Sequence, residues 1–298
     1  MKKIVAYLRL TRPANIVTAV ADILAGYSLC LWKDYDTVPN HFSNGLFLIL
    51  ATIGLYGGGV VMNDVADFEL DKIERPERPI PSGLASRRGA AILGILLLFF
   101  GICFASMVSI LSGEIAFCVA ALALVYDFFG KHHKFFGPLN MGLCRGGNLL
   151  LGMTATPLIY FNCYPIAIIP VIYIAAITMI SRGEVVGGNK KAIVLAGFMY
   201  LLVIGLLIFI PLFILKTRNV FFVEGFVFLF LLLIYQPLFA AYPNPNATNI
   251  RKAVKAGVLS LIVMDASIAT SFQGWQYGLI ILALLPISIL LAKIFAVT

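Results

Sequence analysis

Ten long apolar runs, at about 14–32, 45–63, 89–111, 114–130, 140–160, 164–181, 192–215, 219–240, 254–271 and 276–296, alternate with short polar stretches along the 298-residue chain. A run of about 20 apolar residues is long enough to cross a bilayer as a helix. Hydrocarbon offers no partner to a backbone N–H or C=O, so each run must pair its own groups as a helix; a membrane barrel would alternate apolar and polar positions instead. The ninth run is short and carries Asp265, so the pattern predicts nine or ten crossings. The expected fold is an all-α, polytopic transmembrane helical bundle, a single domain over residues 1–298.

Composition narrows the function classes. The chain is 61% hydrophobic and 12% charged, whereas soluble domains average about 45–50% apolar and about 25% charged residues. A soluble enzyme, a nucleic-acid binder and a disordered tail are excluded, and the lipid bilayer is the expected surroundings. Cys30, Cys103, Cys118, Cys144 and Cys163 lie in or beside apolar runs with no Cys-x-x-Cys pair, so they read as small apolar fillers. Lys2 and Lys3 precede an apolar stretch without a small-residue cleavage pattern, so the first segment is expected to stay.

The net charge of +8 matters less than its placement. With the amino terminus and every second loop inside, 18 of the Lys and Arg residues fall inside; Lys33, Lys216 and Arg218 fall outside, and Arg145 lies within a run. Such a bias predicts both termini and the loops 64–88, 182–191 and 241–253 on the cytoplasmic side of the cell (inner) membrane. These longer loops hold most of the acids, so function is expected on that face.

The second run ends in Asn63-Asp64-Val65-Ala66-Asp67-Phe68-Glu69-Leu70-Asp71. At about 100° per residue, Asn63, Asp67, Asp71 and Asp64 point at roughly 0°, 40°, 80° and 100° on one helix face, with Glu69 near 240°. Clustered carboxylates repel unless a cation neutralises them. Oxygen-only ligands favour a hard ion, and Mg²⁺ commonly takes one or two carboxylates plus substrate phosphates. The competing reading is a solvated acidic helix end balanced by Arg75, Arg78, Arg87 and Arg88. Three prolines in Arg75-Pro76-Glu77-Arg78-Pro79-Ile80-Pro81-Ser82-Gly83 end the helix and predict a stiff loop that turns two arginines back toward the acids.

Asn63-x3-Asp67-x3-Asp71 followed by Arg78-Pro79-Ile80-Pro81-Ser82-Gly83 resembles the first signature of the UbiA-type intramembrane prenyltransferases. Arg12-Pro13-Ala14-Asn15 with Leu24-Ala25-Gly26 is similar to that family's first span, and Tyr126 with Lys131 to its Tyr…Lys element. More narrowly, Gly57-Gly58-Gly59, the segment Tyr126 to His133 and the segment Asn140 to Asn148 resemble the EboC branch. The resemblance implies a bundle with a cavity open sideways to lipid, in which acidic motifs hold Mg²⁺ against the diphosphate of an isoprenyl donor. Cleavage of the donor's C–O bond would give an allylic cation that a small aromatic or other nucleophilic acceptor captures. It implies Asn63, Asp67 and Asp71 as the catalytic metal-binding triple with Asp64 beside them. Arg78, Lys131 and Arg145 would contact diphosphate, with Asn15 and Tyr126 among the substrate-binding residues.

Two places depart from the family pattern. A second acidic motif is due near 181–191, but Ser181-Arg182-Gly183-Glu184-Val185-Val186-Gly187-Gly188-Asn189 holds one acid. Glu184, with Asn189, would serve any second Mg²⁺, and Arg182 could replace that ion's charge. The same gap fits a non-catalytic UbiA-like carrier or binding protein for a lipid-linked or aromatic metabolite. Arg145, flanked by Gly142, Gly146 and Gly147, must face a partner, either substrate or an ion pair with Asp127 or Asp22. His132 and His133 are adjacent and so share no helical face, which speaks against a metal site.

Overall fold

In the computed structural model the chain is an all-helical bundle, described for residues 2–34, 41–156, 161–185, 187–188, 190–217 and 219–295. Helix α1 (Lys2–Leu10) breaks at Arg12 and continues as α2 (Pro13–Asp34); α3 (His41–Ala66) is followed after one residue by α4 (Phe68–Glu74). Then come α5 (Arg87–Ser106), α6 (Ile110–Val125) with a π turn at Tyr126–Gly130, α7 (Phe136–Gly152) and α8 (Ile168–Ser181). The chain closes with α9 (Lys190–Phe209) and its π-helical end Ile210–Leu215, α10 (Val220–Ala241), α11 (Ala247–Gln273), α12 (Trp275–Leu282) and α13 (Leu284–Phe295).

Among the described residues nine helical stretches are long and apolar enough to cross a membrane. The tenth apolar run is α7, whose 17 residues rise about 26 Å. One end of α7 meets the loop that joins it to α6, where Arg182 donates to the carbonyls of Lys131 and His133. Just past its other end, Ala155 O accepts from Asn44 Nδ2 at 2.9 Å, near the opposite end of α3. Helix α7 therefore reaches from one end of the bundle toward the other, beside the nine longer spans.

Burial is inverted relative to a soluble protein. Only 28% of the apolar window of α5 and 22% of that of α12–α13 is buried, and Ile92, Ile95, Phe99 and Phe100 stand exposed, as lipid-facing residues do. The central helix is α11, 72% buried. Close approach of α7 to α8 depends on glycine: a Cβ on Gly142 or Gly146 would strike Val171. All five cysteines are free.

The packed interior is also polar. Arg145 on α7 lies 2.5 Å from the carboxylate of Asp22 on α2, and its Nη2 donates to Thr18 at 2.8 Å. Asn148 donates to Asp22 at 2.9 Å and accepts from Thr52 at 2.7 Å. These contacts join α2, α3 and α7, and of the two sequence alternatives for an ion-pair partner of Arg145 the structure takes Asp22.

Candidate active site

A cavity of about 490 Å³ opens between the ends of α2, α3, α6, α7, α8 and α11. Its walls are apolar through Leu55, Val119, Ile174, Ile177 and Val258, and its polar residues include Arg12, Asn15 and Asn63 on the side of the acidic cluster and Arg145 and Asn148 on α7. Glycine at position 59 keeps that wall low, since the nearest atom to a Cβ there would be Ala123 Cβ at 3.5 Å.

The helix breaks at Asp67, yet Asp67 N still donates to Asn63 O (2.9 Å) and Asp71 N to Asp67 O (2.8 Å). The predicted shared face survives the break. Each acid is capped by a cation drawn from elsewhere. Arg78 Nη1 contacts Asp71 Oδ2 at 2.8 Å and Asp64 Oδ1 at 3.2 Å, so the proline-rich turn does bring an arginine back to the helix end. Arg12 Nη2 reaches Asp64 Oδ1 at 2.6 Å, and Lys131 Nζ pairs with Asp67. Glu69 lies apart, pairing with exposed Lys72. Burial raises the Asp71 carboxyl above its usual range, partly opposed by Arg78.

Arg12 has φ of 49°, in the left-handed region that costs a residue with a Cβ about 1–2 kcal/mol. This backbone turns the chain between α1 and α2 where the side chain meets Asp64.

Asn15, Asn63, Tyr126, Arg145 and Glu184 line the cavity, joined by Arg12, Arg75, Asp127, Arg251 and Lys255. Asp64, Asp67, Asp71, Arg78 and Lys131 form the network behind Asn63. Glu184 accepts from Arg75 at 3.4 Å, while Arg251 Nε donates to the Glu184 backbone oxygen at 2.9 Å. Burial pushes the Glu184 carboxyl up, against the pull of Arg75 and Arg251. Asn189 lies outside the described residues.

Arg182 corrects an expectation. The expectation has it lending charge to a second metal position, but its Nη2 donates to the carbonyls of Lys131 and His133 and it does not line the cavity. Arg75, Arg251 and Lys255 stand there instead. A signal for the last two was present: Arg251, Val254, Lys255 and Val258 repeat at helical spacing, so one face of α11 carries two cations above an apolar stripe. His133 Nδ1 accepts from Phe136 N and caps α7.

The donor set is all oxygen and suits a hard divalent ion. Among the described residues no group of three or more Asp, Glu, His or Cys side chains is placed to hold a metal ion by itself, so the protein alone does not complete a site. That agrees with Mg²⁺ chemistry, in which one or two carboxylates are completed by substrate oxygens and water. A buried, unpartnered oxygen at the site, Asp127 Oδ2, points the same way.

Comparison with known protein families matches residues 23–254 to the UbiA prenyltransferase family. The chain belongs to that family. A digeranylgeranylglyceryl phosphate synthase of Sulfurisphaera tokodaii is 28% identical over 290 residues, 88% of this chain and 96% of the relative. The synthase of the same name from Methanoculleus marisnigri is 33% identical over 147 residues, 49% of this chain and 50% of the relative. The chain thus spans about half the length of the Methanoculleus relative. A solved UbiA homolog from Archaeoglobus fulgidus bound to GPP and Mg²⁺ superposes with a TM-score of 0.64 at 14% identity, covering 88% of this chain and 99% of that one. That likeness is one of fold. The comparisons support the UbiA family and leave the EboC branch without a match among these relatives.

Proposed function

We propose that this UbiA-family membrane protein transfers an isoprenyl group from an isoprenyl diphosphate to a phosphate-bearing glycerol lipid, with Mg²⁺ as cofactor and the site open to the cytoplasm. The observation that carries the reading is the interleaving of Asp64, Asp67 and Asp71 with Arg12, Arg78 and Lys131 at one end of an apolar cavity, on the family's own motif. GPP and Mg²⁺ in the Archaeoglobus homolog support the donor and the ion. The glyceryl phosphate in the relatives' name supports the acceptor, as do Arg251 and Lys255, which have no carboxylate within ion-pair distance among the described residues.

Asn63, Asp67 and Asp71, with Asp64, would hold the ion. When bound, it supplies Lewis-acid polarisation of the leaving diphosphate. Arg78 and Lys131, which now neutralise the acids, are placed to turn their donors onto diphosphate oxygens. Asn15 would steady the donor at the α2 end. The donor's C1–O bond breaks with its electron pair leaving on diphosphate; an acceptor hydroxyl oxygen forms the new C1–O bond and its proton passes to the diphosphate. Tyr126, which lines the cavity, would supply an aromatic ring near the transient allylic charge. The apolar walls exclude competing water. Arg145, held over the Tyr56 ring at 5.6 Å, keeps the deep end of the cavity polar.

Two readings compete on specific grounds. The EboC-like segments from Tyr126 to His133 and Asn140 to Asn148, beside a tyrosine-lined wall, favour a small aromatic acceptor. The pairing of Glu184 with Arg75 leaves the second acidic position without a free carboxylate, which favours a non-catalytic carrier. Purified protein with GPP and Mg²⁺ tests all three. Pyrophosphate release that EDTA abolishes, with a prenylated glycerophosphate ether in the mass spectrum, supports the proposal. A prenylated phenol alone moves the acceptor to the aromatic class, and no release with any acceptor leaves the carrier.

A further inference from the structure

We propose that Asp127 is an additional carboxylate ligand of the divalent cation, contributed by α6 where the chain lacks the second acidic motif. The inference rests on the Mg²⁺-dependent reading above. Asp127 is 4% exposed and lines the cavity. Its Oδ1 accepts from Asn63 Nδ2 at 2.9 Å, while Oδ2 has no hydrogen-bond partner. No ion pair reaches it among the described residues, because Lys131 is taken by Asp67 and Arg145 by Asp22. A buried carboxylate without a counter-charge is strongly unfavourable in isolation, so its place beside the acid cluster calls for a cation that arrives with substrate.

Local backbone geometry explains how α6 delivers it. Lys131 N donates to Tyr126 O at 3.0 Å, a five-residue step that widens the last turn of the helix. Such π turns are frequent at functional sites, and they re-aim side chains that ordinary helical spacing would rotate away. Here Tyr126 and Asp127 both line the cavity, and Lys131 returns to Asp67. The hydrogen bond from Asn63 fixes the Asp127 carboxylate in place. An ion taking Asp127 Oδ2 and an oxygen of Asp67 or Asn63 would join α3 to α6. On the far side of the cavity the one acid of the α8–α9 loop, Glu184, is engaged by Arg75.

The test is a titration of the full-length protein in nanodiscs with Mn²⁺, followed by electron paramagnetic resonance, with and without GPP. Asp127→Asn should raise the Mn²⁺ dissociation constant at least tenfold, and Asp127→Glu should recover most of it. In metal-free buffer Asp127→Asn should melt at the same or a higher temperature than wild type, because an unpaired buried charge is gone. It should also lose most of the melting-temperature increase that Mn²⁺ and GPP give. A merely structural Asp127 would move the metal-free melting temperature downward and leave the Mn²⁺ constant alone. If Asp127→Asn binds Mn²⁺ within twofold of wild type while Asp67→Asn does not bind, the assignment is overturned and the proposed function stands. If wild type itself binds no Mn²⁺ with GPP present, the metal reading and this assignment fall together.

Discussion

Arg78 Nη1 stands 2.8 Å from Asp71 Oδ2, seven residues back along the chain and across a turn stiffened by prolines. The contact is what turns a helix end and a loop into one site. Arg78→Gln is expected to lower kcat by about 10²–10³-fold, the usual loss when one preorganised donor to developing charge is removed. Arg78→Lys should recover part of the loss, because one nitrogen, Nη1, makes both contacts and an ammonium keeps that charge at a shorter reach. Steady-state pyrophosphate release measures both.

Asp67→Asn and Asp71→Asn should abolish Mg²⁺-dependent turnover and leave the proteins folded, since each retains a polar side chain against its cation partner. Full turnover in both variants would remove the acidic cluster from the mechanism. Circular dichroism separates loss of fold from loss of chemistry.

Burial raises Asp71 and Glu184 above ordinary carboxylates. Protons therefore begin to occupy them at a higher pH than the roughly 4 of an unperturbed acid. As pH falls, protons displace the ion from Asp71 and the Arg75 contact from Glu184. Apparent Mg²⁺ affinity should weaken on acidification and recover on return to neutral pH. Glu184→Gln should leave that profile unchanged, because Arg75 holds Glu184 across the cavity; a flattened profile in this variant would make Glu184 a ligand of the ion.

Arg145→Met would leave Asp22, 0% exposed, without its counter-charge. Removing one partner of a buried pair costs about 3–5 kcal/mol, so the single variant should melt well below wild type. The double variant Arg145→Met with Asp22→Leu should recover most of the loss. Detergent-phase thermal unfolding reads this, and no recovery would show that the pair is not coupled.

Arg251→Gln with Lys255→Met should raise KM for a glycerophosphate ether at least tenfold and leave KM for GPP nearly unchanged. Equal loss for donor and acceptor would move these cations to the donor diphosphate.

The helical class, the ten runs and the face shared by Asn63, Asp67 and Asp71 were legible because they follow from short-range spacing. Arg78 was legible too, since three prolines leave the chain little choice but to turn back. Arg12, Asp127, Arg251 and Lys255 were not placed in the site. Arg12 and Asp127 meet their partners 52 and 64 positions away, and Arg251 and Lys255 entered the sequence reading only as charges of an inside loop. Arg182 went the other way: proximity in sequence to the expected second motif suggested the cavity, but nearby carbonyls claimed its guanidinium.

Local sequence alone determined that this chain spans a membrane as helices and carries a cluster of oxygen-bearing side chains at the end of the second span. Backbone pairing in hydrocarbon and the helical repeat permit no other solution. Which cations meet which acids, and which carboxylate is left open to the cavity, was decided only by tertiary packing. Ion pairing selects among side chains by distance, and distances between helices far apart in sequence are set by how their faces interlock.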